Sequence, residues 1–269
     1  MTLAVAIQLA SKIVLTTIFE LWICFYQLDR YRDIHSRGVI HNGVKPANIC
    51  IPVASSKSQG PQSNYLLHII DFGLSYDLDV SGQNILPKRI EIVGNRRFLS
   101  LFAHHGIGAV HPLCSVAYCG SHRITGQSQR DDLESIAYLL SFLHHGYLPW
   151  DKPYASTSSG DSHPHIWRRK MATPASILFA GMDPAYVAFF KDVKGLAFGE
   201  MPNYEEMKAR FSACWRNRGF DGQPGEVDWN NVLQLNEVQW IWETGKRPLD
   251  MQSVSWAITV IINDMYCRR

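Results

Sequence analysis

The chain has 269 residues, 46% of them hydrophobic and 19% charged, with a formal net charge of +2. That length allows one large core or two modest ones, and the composition excludes a disordered chain. So small a charge gives no bulk attraction to nucleic acid, and six scattered cysteines (Cys24, Cys50, Cys114, Cys119, Cys214, Cys267) lack the spacing of a disulfide scaffold, which suits a reducing, intracellular compartment, cytoplasmic or nuclear.

Residues 3–28, LAVAIQLASKIVLTTIFELWICFYQL, are apolar enough to raise a membrane span or a secretion signal. Against both, Gln8, Lys12, Thr16 and Glu20 recur every four residues and leave a wide apolar face opposite. Met1–Thr2 also supply no basic residue ahead of the apolar run. The expectation is a buried amphipathic helix that runs to about Ser36 and stops at Gly38. A membrane-anchored protein is the competing reading.

Further along, VIHNG leads into a turn at Lys45-Pro46, and NICI reads as a strand. Residues 54–64 form a polar loop, and YLLHIIDFG is another apolar strand closing on Gly73. The stretch 74–130 is loop-rich. Residues 131–146 read as a helix with a stripe of Ile136, Leu139, Leu140 and Leu143, stopped by Gly146. Amphipathic helices follow at 184–198 and 203–218, and a last one at 253–266. No internal repeat is present.

Together these segments resemble the eukaryotic protein kinase superfamily, in its casein kinase 1-like branch. The resemblance covers most of residues 3–229, all of it in the family's carboxy-terminal lobe. IHSRGVIHNGVKPANI is similar to the catalytic loop and IIDFGLS to the metal-binding DFG segment. VGNRRFLSLFAHHGI, QSQRDDLESIAYLLSFLHHGYLPW and GEMPNYEEMKARF resemble three later segments of that branch, in the same order. The implied fold is protein-kinase-like, α+β overall. It is here mainly the helical lobe, with short strands around the catalytic and DFG loops and a helical tail over 230–269.

The resemblance implies roles for individual residues, with ATP and Mg²⁺ as cofactors. Asp71 and Asn48 would hold magnesium, Lys45 would neutralise the transferred phosphoryl group, His41 would support the loop, and Asp132 would tie down its backbone. Gly43 stands where the family has its catalytic aspartate, and Asn42 where it usually has arginine. A carboxylate there orients the substrate hydroxyl and accepts its proton, which is worth about 10²–10⁴ in rate. Glycine has no side chain to do either. No Gly-rich loop or Val-Ala-Ile-Lys strand precedes these motifs, so feeble nucleotide binding is expected. Residues 108–126 are an insertion relative to that branch. Together with the absent small lobe, it implies a truncated gene, or a gene model that starts late and retains an intron.

Plainer readings stand beside these. Asp71 and Asn48 are also ordinary turn residues, and Lys45 a solvated cation. His104, His105, His111, Cys114, Cys119 and His122 have ligand-type side chains, but their spacing matches no zinc finger. His144 and His145 read as caps on a helix dipole. Trp240, Trp242 and Trp256 would pack on their own domain or meet a partner. Two functions follow beside the membrane-anchored one: a non-catalytic kinase-like module acting through protein partners or self-association, or an active serine/threonine kinase whose small lobe is missing here. Neither nucleic acid nor a membrane is expected as a partner.

Overall fold

A computed structural model describes residues 3–50, 67–78, 94–105, 127–151 and 163–220. The polar loop at 54–64, most of the histidine–cysteine cluster, the insertion and the tail with its tryptophans lie outside the described residues. What is described is mostly helix with four short strands.

Helix α1 runs Leu3–Ser36 and ends at Gly38, whose left-handed φ of +75° lets its N–H turn back to the His35 carbonyl at 3.0 Å. The three apolar runs around the loop contract to two-residue strands. β1 (Val39–Ile40) pairs antiparallel with β4 (Tyr76–Asp77), and β2 (Ile49–Cys50) with β3 (His68–Ile69). A 3₁₀ turn at Pro46–Asn48 separates β1 from β2. β4 has no counterpart in the sequence reading, because a two-residue strand shows no periodicity to detect.

Helix α2, Gln129–His145, occupies the middle of the molecule and packs on α1 and on α5 (Pro184–Gly195). Fourteen of its seventeen residues are buried, so it is an interior helix and not the half-exposed one its stripe suggests. Gly146 ends it in the left-handed region and donates to the Phe142 carbonyl at 2.8 Å. Helix α6, Tyr204–Asn217, packs on α1 and α5. Phe211 of α6 meets Tyr186 and Phe189 of α5 at ring separations of 5.1 and 5.6 Å. Among the described residues, no helix is long and apolar enough to cross a membrane.

Two helices were not anticipated: α3, His163–Ala172, and the single turn α4, Ala175–Leu178. Their local signal is weak, and tertiary contacts hold them. The Lys170 amine is buried over the rings of Tyr138 and Trp150, at 4.8 and 5.0 Å, and donates to the carbonyls of Arg96 and Leu99. Burial pulls its pKa well below the usual lysine range.

Glu20 also departs from expectation. It does not join a solvated face but lies buried in the core, with His144 Nδ1 at 3.0 and 3.1 Å from its carboxylate oxygens. Burial raises its carboxyl pKa although His144 opposes the shift. His144 is therefore spent on α1 and not on the dipole of its own helix. His145 reaches the carbonyls of Ser141 and Ala180 at 2.9 and 2.8 Å.

Two side chains in this framework generate predictions. Gln27 of α1 is fully buried, and neither of its amide atoms has a hydrogen-bond partner. Gln27→Met should raise unfolding free energy by about 1–3 kcal/mol, the cost of an unpaired buried polar group. Urea denaturation reads this as a higher midpoint at unchanged slope, and a lower midpoint would contradict it.

The second is Asp131, buried in the first turn of α2. It accepts from Ser100 Oγ at 2.5 Å and from the Ser128 N–H at 2.8 Å, yet desolvation pushes its pKa to about 6. A folded pKa above the unfolded 3.8 means the contribution is complete below pH 3.8 and lost as pH rises through about 6. The loss is on the order of 3 kcal/mol. Relative to wild type, the Tm of Asp131→Asn should therefore rise between pH 4 and pH 7. A gap independent of pH would exclude this account.

Candidate functional site

The site is built on the loop between β1 and β2 and on the turn between β3 and β4. Asp132, in the first turn of α2, is buried and organises the loop backbone. Its Oδ2 accepts the His41 N–H at 2.8 Å, and its Oδ1 accepts the Asn42 N–H at 2.9 Å. Oδ2 also accepts from His35 Nε2 at 2.9 Å. The helix N-terminus favours the negative charge, and the three donors replace the water it has lost.

His41 lies beneath the loop and is fully buried. The Ile70 carbonyl, 3.2 Å away, can only accept, which assigns the proton to Nε2. Nδ1 then accepts from the Tyr31 hydroxyl at 3.0 Å and from the Gly43 N–H at 3.3 Å. Burial, then Asp132 and Tyr204, raise the Tyr31 pKa well above the usual phenol range, which keeps that hydroxyl a donor. The Phe72 ring stands edge-on to His41 at 4.9 Å.

Asn42 has a left-handed φ of +58°, which asparagine tolerates better than most residues. Its Nδ2 donates to the Leu74 carbonyl at 3.1 Å, and Ser75 Oγ donates to the His41 carbonyl at 3.2 Å. Loop and turn are thereby sewn together from both sides. Asp71 is the second left-handed residue, at φ +67°. Its carboxylate is solvent-exposed and lies 3.4 Å from Lys45 Nζ. The hydrogen bond from Lys45, the Gly73 N–H and the charge on Lys45 hold it below the usual carboxylate range.

Asn48 completes the group. Its Nδ2 donates to the Gly43 carbonyl at 2.7 Å, while its buried Oδ1 has no hydrogen-bond partner. Gly43 is packed in turn: a Cβ there would come 3.0 Å from His41 Cε1 and 3.1 Å from Asn48 Nδ2. The structure thus brings Lys45, Asn48 and Asp71 around a residue with no side chain, over the His41–Asp132 support. Sequence reading missed Tyr31, His35 and Tyr204. Tyr31 and His35 stand one helical turn apart in α1, a spacing that offers a partial signal, but Tyr204 lies 169 residues from His35.

Asn48 Oδ1 and the Asp71 carboxylate are hard oxygen donors, and the unsatisfied amide oxygen fits a cation such as Mg²⁺. No group of three or more His, Cys, Asp or Glu residues able to hold a metal is found among the described residues. No family model matches the chain.

Buried Asp132 and exposed Asp71 should respond differently to amidation. Asp132→Asn should cost about 2–4 kcal/mol, because an amide nitrogen would face donors that need an acceptor. Asp71→Asn should leave the denaturation midpoint essentially unchanged, because its carboxylate is open to solvent. Equal losses in chemical denaturation would contradict the division between support and surface.

Proposed function

We propose that the chain is a protein-kinase-like module, related to casein kinase 1, whose phosphotransfer site is degenerate and which works through protein contacts. The order of five motif segments supports the family. The backbone ties from Asp132 and the convergence of Lys45, Asn48 and Asp71 support the location of the site.

The observation that carries the loss of catalysis is Gly43. Phosphoryl transfer needs the attacking hydroxyl in line with the γ-phosphate and a route for its proton. At position 43 the loop offers backbone alone, and its N–H and carbonyl are already engaged by His41 and Asn48. Lys45, next in reach, is a cation and cannot accept a proton. Magnesium, held by Asn48 and Asp71, would supply charge neutralisation on the phosphates. Lys45 would share that task, and Asn48 would also hold the Gly43 carbonyl. This set addresses phosphate and metal only, so affinity for a whole nucleotide should be feeble. On the rim, Phe72 and Leu74 are 48% and 44% exposed, and such apolar surface favours a protein contact.

The purified chain should transfer no phosphate from labelled ATP to casein-like peptides, and millimolar ATP–Mg²⁺ should give no thermal shift. Gly43→Asp should not create activity by itself, since a carboxylate at position 43 would leave the nucleotide as feebly held as before. Clear turnover abolished by Asp71→Asn would refute the proposal in favour of an active kinase.

A further inference from the structure

Behind Asp132 the hydrogen-bonded chain continues away from the loop. His35 Nε2 donates to Asp132 Oδ2, and the carboxylate fixes that assignment, because it can only accept. His35 Nδ1 is left as an acceptor, and the Tyr204 hydroxyl donates to it. Tyr204, His35 and Asp132 are all buried, so none of these groups has water to fall back on. The Tyr31 ring, edge-on to His35 at 5.6 Å, closes one side of the imidazole.

Tyr204 is the first residue of α6, and its place is set from two directions. The Asn203 side chain caps α6 by accepting the Glu206 N–H at 3.1 Å. Two ion pairs join α6 to α1, Arg32 with Glu205 at 2.6 Å and Lys208 with Asp29 at 2.8 Å. At the far end of the chain stands Asn42, a non-glycine residue in the left-handed region, which persists only where its surroundings hold it. Asp132 Oδ1 binds its N–H, while Oδ2 divides its capacity between His35 and the His41 N–H.

We infer that Tyr204 and His35 are positioning residues for the 41–43 loop, so that the start of α6 controls the geometry of the candidate site. Without the Tyr204 hydroxyl, His35 has no donor on Nδ1 and its ring is free to turn. Asp132 then loses the donor that orients Oδ2, and the strained Asn42 is the first backbone to relax. The inference needs no phosphotransfer and holds whether or not the site is catalytic.

Amide hydrogen exchange on the full 269-residue chain tests it with Tyr204→Phe. Tyr186→Phe is the control, because the Tyr186 hydroxyl is buried with no hydrogen-bond partner. In Tyr204→Phe the Asn42 and Gly43 amides should exchange about fivefold faster, the value of one lost hydrogen bond, with much smaller changes at Leu139 and Leu140 in the α2 core. Tyr186→Phe should leave the Asn42 and Gly43 rates unchanged. The inference is overturned if Tyr204→Phe leaves Asn42 and Gly43 within about twofold of wild type, if the α2 core accelerates equally, or if Tyr186→Phe reproduces the loop effect.

Discussion

Three carboxylates in the first two turns of α2, Asp131, Asp132 and Glu134, are buried, and the loops are arranged around them. Each needs donors to replace lost water, and each takes at least one from outside its own helix. Asp131 takes Ser100 and Ser128. Asp132 takes His35, His41 and Asn42. Glu134 takes the Leu101 N–H at 3.0 Å, the Tyr138 hydroxyl at 2.5 Å and Lys194 Nζ at 3.1 Å. Segments with almost no regular structure of their own are thereby fixed to the most buried helix.

The same constraint explains residues 94–105. Their only regular feature is a 3₁₀ turn at Ala103–His105, yet side chains from distant elements hold them at both ends. Arg97 pairs with Asp151, and the Trp150 indole donates to the Arg97 carbonyl at 2.8 Å. Lys170 binds two further carbonyls from inside. A buried amine is costly by itself, and two acceptors with two aromatic faces are what make it tolerable there. α3, which delivers Lys170, is thus positioned by the segment it restrains.

Much of the framework was legible because it is local. The stops at Gly38 and Gly146 follow from left-handed glycines, and α2, α5 and α6 showed helical periodicity with recognisable starts. Lys45, Asn48, Asp71 and Asp132 were singled out by motif order. What escaped was non-local. Nothing in residues 3–28 says that Glu20 will meet His144 on another helix, so a four-residue repeat of polar groups reads as a solvated face. His35 and Tyr204 belong to one buried chain, but their partnership exists only after α1, α2 and α6 have packed. α3 and α4 failed for the opposite reason, having weak local signals and strong tertiary ones.

A loop can keep one shape whatever stands at its centre only if the shape does not depend on that side chain. That condition holds at Gly43. Asp132 grips the backbone N–H groups of residues 41 and 42, Asn48 grips the carbonyl of residue 43, and His41 accepts the N–H of residue 43. None of these bonds involves a side chain at position 43. A side chain at position 43 would therefore take no part in support. A Cβ there would lie close to the His41 ring and the Asn48 amide, at 3.0 and 3.1 Å. Support is therefore separable in this loop from the side chain at position 43.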